Sequence, residues 1–483
     1  MLSKNVKPLA WLLCSLFAHQ AAASGYHFGT QSVSAQSSAN ANAAEADDAT
    51  TVFANPAGVA TLENHQVSAA LNVVVPHIHY HQAQAVHLNG GTPVQGSTSG
   101  KITVGAAVVP HLYGAYKIND RFGLGLGVYT PFASGTEYDK DSVLRYNMNK
   151  LGLATIAFEP VLAVKAGERH AFGVGVVAQH SRAQLRKFAD WNASGAFDPA
   201  VKAATRNPAA TANGKADGYA EVEGTDWGFG YHLGWLFDIN ERVRVGANYR
   251  SQVSHTLKGK AKWHYDTSAG SVFATSNPVP TPAGNLPLAA VAKAQVAANG
   301  YVPEENASVK IVTPESLSVH GMFKANDKLD LFGDVTWTRH SRFKNATLKF
   351  ENAKNIGPAG RSDQTRLNPD WRDTVRVSLG GAYRVSAPLQ LRAGVAFDQS
   401  PVRHAGKRLN TLPDGNRIWW SAGAKYTLKD KHVFDVAYSH IHINDTSMRA
   451  APATGRDVDS KGASSAKFKN YANILGAQYT YRF

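Results

Sequence analysis

The chain has 483 residues, 43% of them hydrophobic and only 18% charged, with 42 Gly, a single Cys and a formal net charge of +14. One cysteine excludes an internal disulfide, and the lack of any apolar run of about 18 residues excludes a bundle of membrane-crossing helices. Charge this sparse, against roughly 25% in ordinary globular chains, leaves many small and uncharged polar residues to be placed.

Residues 1–23 read as a secretory signal peptide rather than an anchor helix. Lys4 and Lys7 precede an apolar stretch from Leu9 to Phe17, and Ala21-Ala22-Ala23 offers a small-residue cleavage site. Cys14 lies inside it behind Leu13, which is too bulky for a lipoprotein processing site. Removal leaves 483 − 23 = 460 residues, no cysteine, and a net charge of +14 − 2 = +12. An exported chain without disulfides needs another source of stability, and a closed, fully hydrogen-bonded sheet is one. Residues 24–64 show no alternation. Small and polar residues run from Ser34 to Ala46, followed by Asp47-Asp48-Ala49 and Asn55-Pro56-Ala57-Gly58. Ahead of a wide barrel this segment reads as a plug or an N-terminal tail, with two acids placed to cap a short helix.

From residue 65 onward the period is two. Val375, Val377, Leu379, Tyr383 and Val385 share one face, against Thr374, Arg376, Ser378 and Arg384 on the other. Leu389 to Asp398 and Ile418 to Leu428 repeat the pattern. The polar face mixes charge with Gly, Ala and Ser, while aromatics sit at the ends of the apolar face. A barrel with a lipid-facing exterior, an aromatic girdle and a polar lumen predicts that arrangement; a soluble all-β repeat protein is the alternative. The fold expected is therefore all-β, a transmembrane antiparallel barrel over 65–483.

About fourteen strand-like segments follow, an even number as in bacterial barrels. They start near His65, Ile102, Phe122, Lys150, His170, Gly224, Arg242, Lys310, Lys328, Asp373, Leu389, Arg417, His432 and Tyr471. Short links at 118–121, 238–241, 325–327, 386–388 and 429–431 alternate with long ones at 81–100, 189–218, 265–308, 351–370, 399–415 and 449–467. Helix is expected within two long loops, over Leu286 to Asn299 and, more weakly, Pro199 to Ala204. Pro131 sits in the middle of the third segment. Proline cannot donate to a ladder, so it either opens the wall there or merely bends it.

Catalytic signatures are missing. The chain has no HExxH and no GxSxG, although a dispersed Ser/His/Asp triad, as in a barrel phospholipase, is an alternative. Gly123-Leu124-Gly125-Leu126-Gly127 is not followed by a helix, which argues against a nucleotide loop and for small residues on a curved barrel wall. His77, His79 and His81 share a strand face, and His440 and His442 another, but polar residues near a barrel rim explain them better than a metal; no cofactor is expected. The basic charge lacks the aromatic-interleaved motifs of nucleic-acid binders, and a basic rim facing anionic lipopolysaccharide accounts for it.

Glu45-Ala46-Asp47-Asp48-Ala49 and Phe53-Ala54-Asn55-Pro56-Ala57-Gly58 resemble the N-terminal hatch of the FadL/TodX-type outer-membrane transporters of long-chain fatty acids and, in some members, aromatic hydrocarbons. Val128 to Phe132, Asp226 to Gly230, Tyr249-Arg250-Ser251, Thr313-Pro314-Glu315, Trp371 to Thr374 and Ala396 to Val402 extend the resemblance along the chain. It implies a fourteen-stranded barrel of a Gram-negative outer membrane, plugged by a small helical hatch over 24–64. It implies a passive route too: an apolar groove between outer loops, a lumenal pocket, then sideways exit through a gap at a kinked strand. The family's carboxylate-binding cations correspond to Lys187, with Arg186 beside it, and to Lys349, with Lys344 as its rival. The expected partners are a hydrophobic small molecule and outer-membrane lipid or lipopolysaccharide, with a monomeric barrel. Asn55-Pro56-Ala57 is expected to cover the gap at Pro131. A structural or adhesive barrel, or a general porin, is the reading from another class.

Overall fold

The computed structural model describes residues 29–102, 105–356, 360–452, 458 and 461–483. The expected signal peptide, 1–23, and the first five residues of the expected hatch lie outside these.

Fourteen antiparallel strands form one closed barrel. They are β1 (Gln66–Ala85), β2 (Gly100–Lys101 and Ala107–Lys117), β3 (Phe122–Tyr129 and Ala133–Glu137), β4 (Met148–Ala166) and β5 (His170–Asp190). Next come β6 (Asp217–Asp238), β7 (Val243–Arg250 and Val253–Tyr265), β8 (Glu304–Thr313 and Ser316–Asn326) and β9 (Leu329–Thr338 and Ala346–Asn355). The circuit ends with β10 (Arg361–Leu367 and Thr374–Arg384), β11 (Leu389–Asp398), β12 (Arg417–Leu428), β13 (His432–Ala450) and β14 (Ser464–Arg482). Closure comes from β1 pairing with β14, in register from Gln66↔Arg482 to Ala85↔Ser464 across one irregularity near His81. Closure leaves no lengthwise free edge, the condition for a sheet to cross a bilayer.

The alternation decides the sidedness. Leu379 is 60% exposed, Leu475 61% and Phe229 71%, all on the outer face. Ser68, Asn72, Glu159, His232, Gln478 and Thr480 are buried on the inner face. Tyr426, Phe434 and Tyr479 ring the end with the short turns, while Trp420, Tyr438 and Tyr471 ring the end with the long loops. This is an apolar band between two aromatic girdles.

Some long links are shorter than the sequence pattern suggests. The expected loop 351–370 is largely a hairpin, because β9 and β10 stay paired from Ala346↔Leu367 to Asn355↔Arg361. A further long link, 138–147, connects β3 to β4. The loop helices run over Asp198–Thr205 and Leu288–Ala298 and share an apolar core with Trp191, Phe197 and Phe273 above the barrel. Asp198 anchors the first by accepting from the backbone N–H of Ala212 and the side-chain amide of Asn192.

Residues 29–64 lie inside the barrel as two short helices, Val33–Ser37 and Thr51–Ala54, and a 3-10 turn, Pro56–Ala60. Asp48 Oδ1 accepts from the backbone of Thr50 at 2.8 Å, just ahead of the second helix. Asp47 does not cap; its carboxylate pairs with Lys425 and, at 3.1 Å, Arg482 of the wall. The inward glycines of β3 explain how closely the segment packs. A Cβ at Gly125 would stand 2.6 Å from Val52 Cγ2, and one at Gly123 2.8 Å from the Val59 carbonyl oxygen.

Candidate functional site

Three apolar or mixed spaces are arranged from the long loops to the wall. Highest is a small cavity of about 70 Å³ bounded by β4 to β10 and the loop residue Tyr301. Leu185, Ala220, Trp263, Val309, Leu348 and Phe350 line it, together with Lys187 and Lys461. Trp263 meets Tyr301 edge-on at 4.7 Å and Phe350 at 5.5 Å, so aromatic rings form most of its surface. Above it, toward the long loops, Lys354 is fully buried against Glu305, a closed pair that fixes β8 to β9.

The expected cations separate on this geometry. Lys187 lines the cavity. Arg186, one residue earlier, faces the other way and is held by Asn149 Oδ1 at 2.6 and 2.8 Å and by Glu137 at 3.0 Å. Lys349 is exposed on the face opposite Leu348 and Phe350, and Lys344 is exposed beyond the end of β9's first segment. Strand alternation thus turns Lys349 away from the cavity, and the second lysine lining it is Lys461.

Lower down, about 130 Å³ of space separates the N-terminal segment from the wall. Gln31, Phe53 and Ala54 line it from one side, and Pro131, Phe132, Arg250, Arg376 and Trp419 from the other. The Arg376 guanidinium lies 4.9 Å over the Trp419 ring and donates to the Ala39 carbonyl at 2.9 Å. Arg250 joins a buried cluster: it donates to Glu159 at 3.1 Å, to Tyr129 at 2.5 Å and to the Phe53 carbonyl at 3.3 Å. His232 meets the same Glu159 at 2.7 Å. Tyr249-Arg250-Ser251 was visible as a motif, but an isolated arginine on a polar face carries no sequence signal of a lumenal role, and neither does Arg376.

The third space is a breach in the wall. β2 and β3 pair only from Leu112↔Val128 to Lys117↔Gly123. Past that point residues 107–111 pair with β1 alone, and Ala133–Glu137 with β4 alone. Between Tyr129↔Ala157 and Ala133↔Ala154, β3 uses one more residue than β4. This is a bulge centred on Thr130, Pro131 and Phe132. A hollow of about 760 Å³ at this level is lined by lipid-side Leu71, Leu112, Val128 and Phe158 together with lumen-side His111 and Tyr129.

The part of the N-terminal segment that meets the break differs from the expectation. Gln31 donates to the Thr130 carbonyl at 2.6 Å, and Phe53 packs edge-on against Tyr129 at 4.9 Å. Asn55 and Pro56 instead seat against Gly173 and Gly234, where a Cβ would lie 2.3 Å from Pro56 and 2.2 Å from Asn55 Oδ1 respectively. Asn55 Nδ2 also donates to the Trp235 carbonyl at 3.0 Å and meets His320 Nε2 at 2.9 Å. Ala57 continues this contact, its backbone nitrogen 2.4 Å from where a Cβ of Gly173 would stand, an approach that only glycine allows; Gly58 instead packs within the segment, against Thr51 and Ala46.

A family model described as outer membrane protein transport protein (OMPP1/FadL/TodX) matches residues 14–483. The chain belongs to the OMPP1/FadL/TodX family. It is 57% identical over the full length of both chains to outer membrane protein NMB0088 of Neisseria meningitidis serogroup B. It is 25% identical to the long-chain fatty acid transport protein of Escherichia coli O6:H1, with 91% of this chain and 89% of that one covered. A crystal structure of a Pseudomonas aeruginosa FadL homologue superposes with a TM-score of 0.79 at 22% identity, covering 95% of this chain and 100% of that one. The FadL/TodX assignment makes the protein a β-barrel transporter of hydrophobic compounds in the outer membrane of a Gram-negative bacterium, and a channel rather than an enzyme. Among the described residues no group of three or more His, Cys, Asp or Glu could hold a metal ion; His77 lies on the outer face, stacked on Tyr471 at 4.4 Å.

Proposed function

We propose that the cargo is a long-chain fatty acid, carried passively and released sideways into the membrane. The observation that carries this reading is a lysine, Lys187, that with Lys461 lines a cavity walled chiefly by aliphatic and aromatic side chains. A neutral hydrocarbon needs no cation there, whereas a carboxylate gains a charge-assisted hydrogen bond. Below it Arg250 and Arg376 line the next space, and the breach at Pro131 opens toward lipid. The name of the Escherichia coli relative supports the same class of cargo. In this reading residues 1–23 are the export signal, 24–64 form the hatch, and one barrel suffices for transport. Organic extraction of the protein purified from native membranes, followed by mass spectrometry, tests it. Fatty acids in near-stoichiometric amounts support the reading; aromatic or aliphatic hydrocarbons in their place contradict it. Steady ion conductance of the intact protein in planar bilayers would favour a general porin instead.

A further inference from the structure

The outer face of the barrel carries its positive charge unevenly. On β14 the lipid-facing residues run Tyr479, Leu475, Tyr471, and the next two outward positions are Lys469 and Lys467. Register places His79 directly opposite Lys469 and His81 opposite Lys467 on β1, with Lys101 opposite His79 on its far side. His442 of β13 stands opposite Tyr471. Six cationic or imidazole side chains thus share one patch, one step beyond the aromatic girdle on the side of the long loops.

Like charges on neighbouring strand positions repel, so such a patch is stable only with counter-charge nearby. Among the described residues the protein supplies little of it. On β1, β2, β13 and β14 the one described acid on the outer side is Asp445, at the β13 bulge, and among the described residues no ion pair joins it to Lys101, Lys467 or Lys469. The facing side of the barrel is balanced at the same height. There Arg182 pairs with Glu223 at 2.5 Å, and Lys260 and Lys262 reach Glu304 at 3.7 and 3.8 Å. An anion from outside the chain would complete the β1/β13/β14 patch. Its height, just above the apolar band, is that of lipid head groups in the outer leaflet.

We propose that this face binds the phosphate groups of lipopolysaccharide, with Lys467 and Lys469 as the principal contacts and Lys101 beside them. Lysine is a point-charge phosphate ligand, and its stem can lie along apolar surface while the ammonium meets the head group. The imidazoles of His79, His81 and His442 add hydrogen-bonding capacity around the same phosphates. The lipid would cover the outer side of β1 and β14, the seam that closes the barrel.

The test uses the full-length protein in detergent micelles, purified lipopolysaccharide, and the Lys467→Gln/Lys469→Gln variant, with heat-modifiable gel mobility as the check of folding. Apparent affinity at low salt is expected to fall at least about tenfold in the variant, and the difference should shrink near 1 M salt, where the Debye length is about 3 Å. Lys260→Gln/Lys262→Gln, on the balanced side, should bind like the native protein. Lys101→Gln alone, a milder change, should weaken binding in the same direction. Native binding by the Lys467/Lys469 variant overturns the proposal, as does equal binding of phosphatase-treated lipopolysaccharide. Displacement of the lipid by inorganic phosphate with the same dependence on the two lysines also overturns it, assigning the patch to the free ion.

Discussion

At the scale of single residues, position relative to the strand period decides what a charge can do. Lys187 lines an apolar cavity, whereas Arg186 and Lys349, one step out of phase with that surface, do not. Lys187→Ala should weaken fatty-acid binding by about 1–3 kcal/mol, the range for losing a charged hydrogen bond, and leave binding of a neutral hydrocarbon of equal length nearly unchanged. Calorimetry with both ligands reads this directly; equal losses would make the lysine structural. Arg250 has a different role, because it touches Glu159, Tyr129 and Phe53 at once. Arg250→Ala leaves the Glu159 carboxylate buried beside His232 without its strongest partner, a loss of about 3–5 kcal/mol for a broken buried pair. Urea unfolding in micelles should show that loss, and limited proteolysis should cut the N-terminal segment sooner. Lys187 was legible in the sequence because a family motif surrounds it. Lys461 was not, since a loop lysine has no period, and Arg376 looked like any polar position of an alternating strand.

At the scale of elements, strands were legible wherever one face meets lipid. The observed starts Phe122, His170, Leu389, Arg417 and His432 coincide with the expected ones. Those of β6, β10 and β14 come earlier, at Asp217, Arg361 and Ser464, because strands that continue beyond the bilayer carry polar residues on both faces and lose the alternation. The N-terminal segment was legible as a non-strand insert, but its contacts were not, since close packing over Gly173 and Gly234 leaves no periodic trace. Two predictions belong to these elements. Pro131→Val restores a ladder donor at the break of β3 and should reduce uptake of radiolabelled fatty acid while binding and barrel assembly persist. The second concerns Asp47, whose carboxyl the Lys425 ammonium holds well below the usual carboxylate range, against burial and with help from Arg482. A depressed carboxylate contributes stability that is present above its unfolded pKa and is lost only as pH falls through the folded value. Protease resistance of the N-terminal segment should therefore stay constant between about pH 5 and 8, and Asp47→Asn should lower it throughout that window.

At the scale of the whole molecule, the barrel solves a transfer problem. Each methylene moved from an apolar site into water costs about 0.8 kcal/mol, so a long acyl chain is held back from a straight aqueous exit. In the proposed sideways route, the breach between β2 and β3 would let it pass from lumen to bilayer without that cost. The N-terminal segment stands beside the breach through Gln31 and Phe53, where the proposed route would need it to shift. The closed circuit of fourteen strands seals the rest of the wall. Because the only cysteine, Cys14, lies within residues 1–23, a cross-link can be placed cleanly. Cysteines at Gln31 and Thr130, joined by a short reducible bis-thiol linker, would fix the segment to the break. Uptake of radiolabelled long-chain fatty acid by cells carrying this variant should stop when cross-linked and return after reduction. Uptake at the native rate with the linker in place would contradict a sideways route at this strand.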